Sequence, residues 1–110
     1  MIRKGNDALC RRLDDKSSRK ILAHENGLMM VEVSFEKDGV GAVHTHPHEQ
    51  VSYVAKGRFL FELDGEKEEI TVGDSVYIPP NTKHGLVALS DAVIVDVFTP
   101  QREDFLIESK

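Results

Sequence analysis

An all-β fold of short antiparallel strands, a sandwich or small barrel, is predicted for this 110-residue sequence by three observations. From residue 20 onward, runs rich in β-branched and aromatic residues recur at intervals of ~8–12 residues, each stopped by turn-forming types. No stretch sustains the 3.6-residue apolar stripe of a long amphipathic helix. Asp64-Gly65 follows one such run directly, the strongest short hairpin signal in the chain.

The elements follow in order. Ser17-Ser18-Arg19-Lys20 is polar and turn-like, and the first strand-like run is Lys20-Ile21-Leu22-Ala23. Met29 to Phe35 alternates well and is ended by Lys37-Asp38-Gly39. Gln50 to Val54 and Arg58 to Leu63 come next, and Glu69 to Val72 returns from the hairpin to stop at Gly73-Asp74. Val76 to Ile78 is closed by Pro79-Pro80, Gly85 to Leu89 follows, and Ala92 to Phe98 runs until Pro100 ends the ladder. That makes about eight strands. The tail from Gln101 to Lys110 is charged around Phe105-Leu106-Ile107 and is expected to cap a barrel end or pack on a partner.

The length suits one domain over residues 1–110. Lysine and arginine number 14 against 19 acids, a net charge of −5, so no broad cationic face is available and nucleic acid is excluded as the main partner. Cys10 is the only cysteine, so no intrachain disulfide can form, and it reads as a structural residue. No apolar export segment follows Arg3-Lys4, and the longest apolar run of the front half, Leu28 to Val31, is far too short to span a bilayer. A soluble cytoplasmic protein without a membrane partner is expected.

Four histidines carry chemistry. His44 and His46 alternate, so an extended segment would project them together, and His84 lies forty residues after His44. Three neutral imidazoles drawn from two distant stretches suit a first-row divalent metal. Glycines frame the pair: Gly39 and Gly41 before it and Gly57 after it, with Gly73-x5-Pro79-x-Asn81-x2-His84 beyond.

In these residues the chain resembles the single-domain cupins, metal-binding RmlC-like jelly-roll barrels with two motifs. The first reads Gly39-x4-His44-x-His46-x3-Gln50-x6-Gly57 (residues 39–57), and the second reads Gly73-x5-Pro79-x-Asn81-x2-His84-x3-Ala88 (residues 73–88). The resemblance implies a cupin double-stranded β-helix and a metal held by His44, His46, Gln50 and His84. Gln50 stands where most cupins have glutamate, and Asn81 replaces a turn glycine, which asparagine tolerates in the left-handed region. Glu49 would point to the opposite face of a strand starting near residue 50. An uncharged ligand set leaves a bound Zn2+, Ni2+, Mn2+ or Fe2+ its full charge, which favours anionic, chelating ligands. His48, after Pro47, reads as a loop residue beside the ligands.

In the last strand, alternation places Asp96 and Phe98 on one face with Ala92 and Ile94. A carboxylate in so apolar a run is costly to bury unless it is paired or functional. The sequence from Asp96 through Arg102 to Leu106, following His44-Thr45-His46-Pro47-His48-Glu49-Gln50, resembles the pectin-degradation cupins of the KdgF type. Those proteins convert 4,5-unsaturated monouronates from pectin or alginate breakdown into linear keto acids. The resemblance implies catalytic roles for Asp96, Arg102 and Phe98: proton relay, carboxylate clamp and apolar wall. Arg102 also has the option of an ion pair with Glu103 or Asp104, and Phe98 that of core packing.

Two alternatives share the barrel: an iron-dependent dioxygenase, and a non-catalytic binder of metal or sugar acid. Exposed sheet edges make a homodimer plausible. Tyr53 and Tyr77 are expected to line the cavity or pack in the barrel, His24 to be exposed, and Lys83 to sit on the rim.

Overall fold

Ten strands, one short α-helix and a 3-10 turn at Gly5–Asp7 form in the computed structural model, which describes residues 1–108. They are β1 (Leu9–Asp14), β2 (Ser17–Glu25), β3 (Leu28–Phe35), β4 (Val40–His44) and β5 (Glu49–Lys56). Then come β6 (Arg58–Leu63), β7 (Glu66–Thr71), β8 (Ser75–Ile78), β9 (His84–Ala88), β10 (Ala92–Thr99) and helix α1 (Glu103–Glu108). A six-stranded sheet in the order β1-β2-β3-β10-β5-β8 faces a four-stranded sheet in the order β4-β9-β6-β7. All pairings are antiparallel, the jelly-roll arrangement.

Alternation builds the core. Met29, Val31, Val33 and Phe35 of β3 turn inward beside Ile94 and Phe98 of β10, and the inward side chains of β6 are Phe59 and Phe61. Phe35 and Phe59 meet edge to face across the two sheets, with ring centroids 5.6 Å apart. At the β6–β7 turn, Asp64 and Gly65 adopt φ of 50° and 86°, the left-handed pair of a type I′ hairpin.

The first forty residues hold more than expected. β1 and β4 bring the strand count among the described residues to ten. Ser17 to Lys20 is no turn: it opens β2, with Ser17 and Arg19 buried on the same face as Ile21. Polar composition hid a strand whose inward positions are filled by a hydroxyl and a guanidinium. Cys10 lies exposed on β1 and supports no packing. His24 is half-buried, its Nδ1 2.7 Å from Gln101 Oε1. Tyr53 and Tyr77 point away from the barrel interior: both are about half exposed on the outer face of the large sheet.

The tail packs on the barrel. Phe105 and Leu106 of α1 lie against the core, closing the end at which the histidines gather. Residues 109 and 110 of the predicted tail fall outside the described residues.

Candidate metal and catalytic site

His44 ends β4 and stands directly opposite His84, which starts β9. Register alone therefore brings their ring centroids to 4.4 Å. His46 is not on the same strand, as alternation had suggested; it lies in the loop beyond β4. Its ring still reaches 5.6 Å from His44 and 4.9 Å from His84. The loop is fastened by the Asn81 N–H, which donates to the His46 carbonyl at 2.8 Å. Asn81 has φ 60°, so the glycine replacement preserves the left-handed turn.

One ring nitrogen from each of His44, His46 and His84 lies within 4.8 Å of the others. Nδ1–H of His44 donates to the Ala42 carbonyl and that of His84 to the Thr82 carbonyl, each at 2.8 Å. Those bonds fix the tautomer and leave both Nε2 lone pairs available to a cation. His46 Nε2 lies 2.8 Å from Gln50 Oε1, near the ~3 Å separation of neighbouring donors each ~2.1 Å from one cation. Burial depresses the pKa of His46 to about 4 and lowers that of His84, so both rings are neutral, the form that binds metal. The donor set fits a divalent transition metal.

Gln50 is buried on the inner face of β5, as the motif spacing implied, while Glu49 is exposed on the outer face. There Glu49 accepts a hydrogen bond from the Tyr77 hydroxyl, which raises the phenol's pKa.

Asp96 of β10 sits opposite Ser52 of β5. The Ser52 hydroxyl donates to Asp96 Oδ1 at 2.7 Å, and the Gln50 amide donates to Ser52 Oγ at 2.9 Å. Burial pushes the Asp96 carboxyl up to about 6, where it can both take and return a proton. Asp96, Gln50, His44, His84 and Phe98 line one cavity of about 150 Å³. That is below the ~300–1,000 Å³ of pockets for drug-sized ligands, and it suits a single small ring.

Arg102, just before α1, is only 8% exposed and lines the same cavity. Its Nε and Nη2 donate to the two carboxylate oxygens of Asp104 at 3.0 and 2.8 Å, and this pairing keeps Asp104 ionised by lowering its pKa. The two-pronged bond expected for a substrate is thus occupied by Asp104, leaving Nη1. Phe98 acts both as wall and as packing: its ring lies 5.6 Å from His46 and 5.7 Å from Phe105. His48 is a half-buried loop residue with its ring 5.3 Å from that of His46, and burial lowers its pKa. Lys83 is exposed.

Sequence reasoning missed Ser52 and Arg19, and named Phe105 only as part of the capping tail. Arg19 is buried in the cavity wall with its guanidinium 3.8 Å from the Phe105 centroid, and Arg102 lies 4.1 Å from the same centroid. The period-two sequence Ser17-x-Arg19-x-Ile21 was the available signal.

Residues 31–98 match the family model for the cupin domain. The pectin degradation protein KdgF of Dickeya dadantii is 42% identical over 96 residues, 86% of this chain and 87% of that one. The solved structure of KdgF from a Halomonas species aligns with TM-score 0.90 and 37% identity, covering 96% of this chain and 97% of the other. An RmlC-like cupin from Shewanella frigidimarina also aligns with TM-score 0.90, at 36% identity over 94% of each chain.

Proposed function

This chain belongs to the cupin family, and from that premise we propose that it opens and ketonises 4,5-unsaturated monouronates to linear keto acids. One observation carries the reading: His44, His84, the Gln50 amide and the Asp96 carboxyl line one cavity of single-sugar size, and the His46 ring nitrogen lies against the same Gln50 oxygen. Similarity to the pectin degradation protein KdgF supports it.

His44, His46 and His84 through ring nitrogens and Gln50 through Oε1 would hold one divalent ion: Zn2+, Ni2+, Mn2+ or Fe2+. When bound, that ion supplies a positive charge undiminished by its ligands, favouring charge development on a substrate oxygen. Arg102 offers Nη1 to the substrate carboxylate, while Asp104 steadies the rest of the guanidinium. Asp96 takes the proton of the anomeric hydroxyl. The C1 carbonyl forms, the bond from C1 to the ring oxygen breaks, and its electrons leave an enolate beside the carboxylate. Proton return from Asp96 to C4 completes the 2-keto acid, with no net redox change and Asp96 restored. Phe98 keeps one side of the ring dry.

The test is an oxygen-free assay of metal-loaded protein with unsaturated galacturonate. The conjugated double-bond absorbance should decay well above the spontaneous rate, and Asp96→Ala should abolish most of the gain. Decay at the buffer rate would overturn the substrate assignment, and oxygen-dependent turnover would transfer the site to dioxygenase chemistry.

The proposal extends to a cytoplasmic homodimer. Cys10 is free, which suits a reducing compartment. Met30, Val97, Val51 and Tyr77 align in one row across β3, β10, β5 and β8, forming an apolar outer face. Light scattering should return twice the chain mass; a monomer mass would remove this part.

A further inference from the structure

The polar groups inside the barrel form one directed chain. His46 Nε2 lies 2.8 Å from Gln50 Oε1, Gln50 Nε2 donates to Ser52 Oγ at 2.9 Å, and Ser52 Oγ donates to Asp96 Oδ1 at 2.7 Å. Ser52 is 1% exposed and Gln50 5%, so both side chains make their bonds largely shielded from solvent. Alternation along β5 puts residues 50 and 52 on the same inner face, and β5–β10 register sets Ser52 directly opposite Asp96.

The polarity of the chain follows from proton counting. A serine hydroxyl has one proton. A carboxylate only accepts, so that proton goes to Asp96, and Ser52 Oγ must accept from its other neighbour. Only the NH2 end of an amide can donate there. The Gln50 side chain is thereby locked with Nε2 toward Ser52 and Asp96 and with Oε1 toward the histidines. Flipping the amide would set Oε1 against Ser52 Oγ, whose proton is already committed. A glutamate at position 50 would meet the same conflict, with two carboxylates competing for a single hydroxyl proton.

We propose that Ser52 is a positioning residue that couples the two halves of the site, presenting the Gln50 carbonyl oxygen to the metal and aiming the Asp96 carboxyl at the substrate. The part concerning Asp96 rests on the function proposed above; the part concerning Gln50 rests on the donor set alone.

The two parts are separable by experiment. Ser52→Ala removes one buried oxygen and should fold, which calorimetry checks. Chelator competition on Ni2+- or Zn2+-loaded protein should show about 10–100-fold weaker metal binding, the range for losing a group that orients a ligand. At saturating metal, kcat on unsaturated galacturonate should fall about tenfold or more with KM within about threefold, because the Ser52 proton is committed to Asp96 and is not offered to the substrate. Ser52→Thr, which keeps the hydroxyl, should recover metal affinity. Wild-type affinity in Ser52→Ala would overturn the lock on Gln50. Unchanged kcat, or a loss of kcat that disappears with KM, would overturn the aiming of Asp96. Wild-type protein without turnover would sink the proposed substrate, while the metal measurement would still decide the role of Ser52 toward Gln50.

Discussion

The separation of β4 from β9 decides whether His44 and His84 act together, and Gly85 sets that separation. A Cβ added at Gly85 would lie 2.8 Å from the Gly41 carbonyl oxygen, 2.9 Å from the Val43 nitrogen and 3.0 Å from the Val43 Cα. All three are backbone atoms of β4, so no side chain can swing away to relieve them. Ordinary non-bonded contacts of carbon lie at ~3.5–4.0 Å, so β4 must retreat by roughly 0.5–1 Å. His44 ends that strand and would retreat with it, away from its register partner His84. A metal bond of ~2.1 Å does not stretch so far. Gly85→Ala should therefore cost about 1–3 kcal/mol of stability, the usual overpacking range, and about 10–100-fold in metal affinity. Gly41→Ala is the matched control. Its Cβ would press only on the Leu86 side chain, at 3.3 and 3.4 Å, which can adjust, with the Leu86 nitrogen at an ordinary 4.0 Å. The stability change should stay below about 1 kcal/mol and metal affinity should be retained. Calorimetry and chelator competition on both variants provide the comparison. Wild-type metal affinity in Gly85→Ala, or an equal loss in both variants, would refute a strand gap that tunes the site.

Two further expectations follow from burial. Phe59 is fully buried and stacks edge-on against Phe35 between the sheets, so Phe59→Ala should cost about 3–5 kcal/mol in urea unfolding; a loss under about 1 kcal/mol would deny a shared core. In metal-free protein, His46, lowered to about 4 from 6.5, resists a proton that the unfolded chain accepts, so it withdraws about 3 kcal/mol of stability as pH falls from 6.5 to 4. Asp96, raised to about 6 from 3.8, takes its proton earlier than the unfolded chain and returns about 2–3 kcal/mol over a similar window. Asp96→Asn should therefore steepen the acid side of the profile by about 2–3 kcal/mol relative to wild type; parallel urea-midpoint profiles would contradict the opposing pair.

How far the fold could be read from the residues depended on whether local chemistry alone dictated the geometry. Asp64-Gly65 dictated its turn, because few other pairs accept two successive left-handed residues. Ala92 to Phe98 dictated its faces, because a half-buried strand of period two has only one inward set. β1 offered no such signal: every residue of it is exposed, and it is held at the sheet edge by backbone pairing to β2. Arg19 was obscured for a different reason. A guanidinium is buried here beside an aromatic ring contributed by Phe105, 86 positions later, and no local window contains both.

The site divides along the same line. The placement of the candidate metal ligands His44, His84 and Gln50 was readable because the first two are fixed by register and the third by alternation, both properties of the backbone. Extending that alternation three further residues would have identified Ser52 as inward and Tyr53 as outward, so the information was present but not used. Arg102 was not readable in this way. Its competition between a substrate carboxylate and Asp104 turns on the one-turn geometry of α1, where Asp104 lies two residues on and claims both Nε and Nη2. That bond holds a cation at the cavity wall without exhausting its donors. It also leaves Asp96 bonded to Ser52 rather than to the cation, as the proposed proton relay requires.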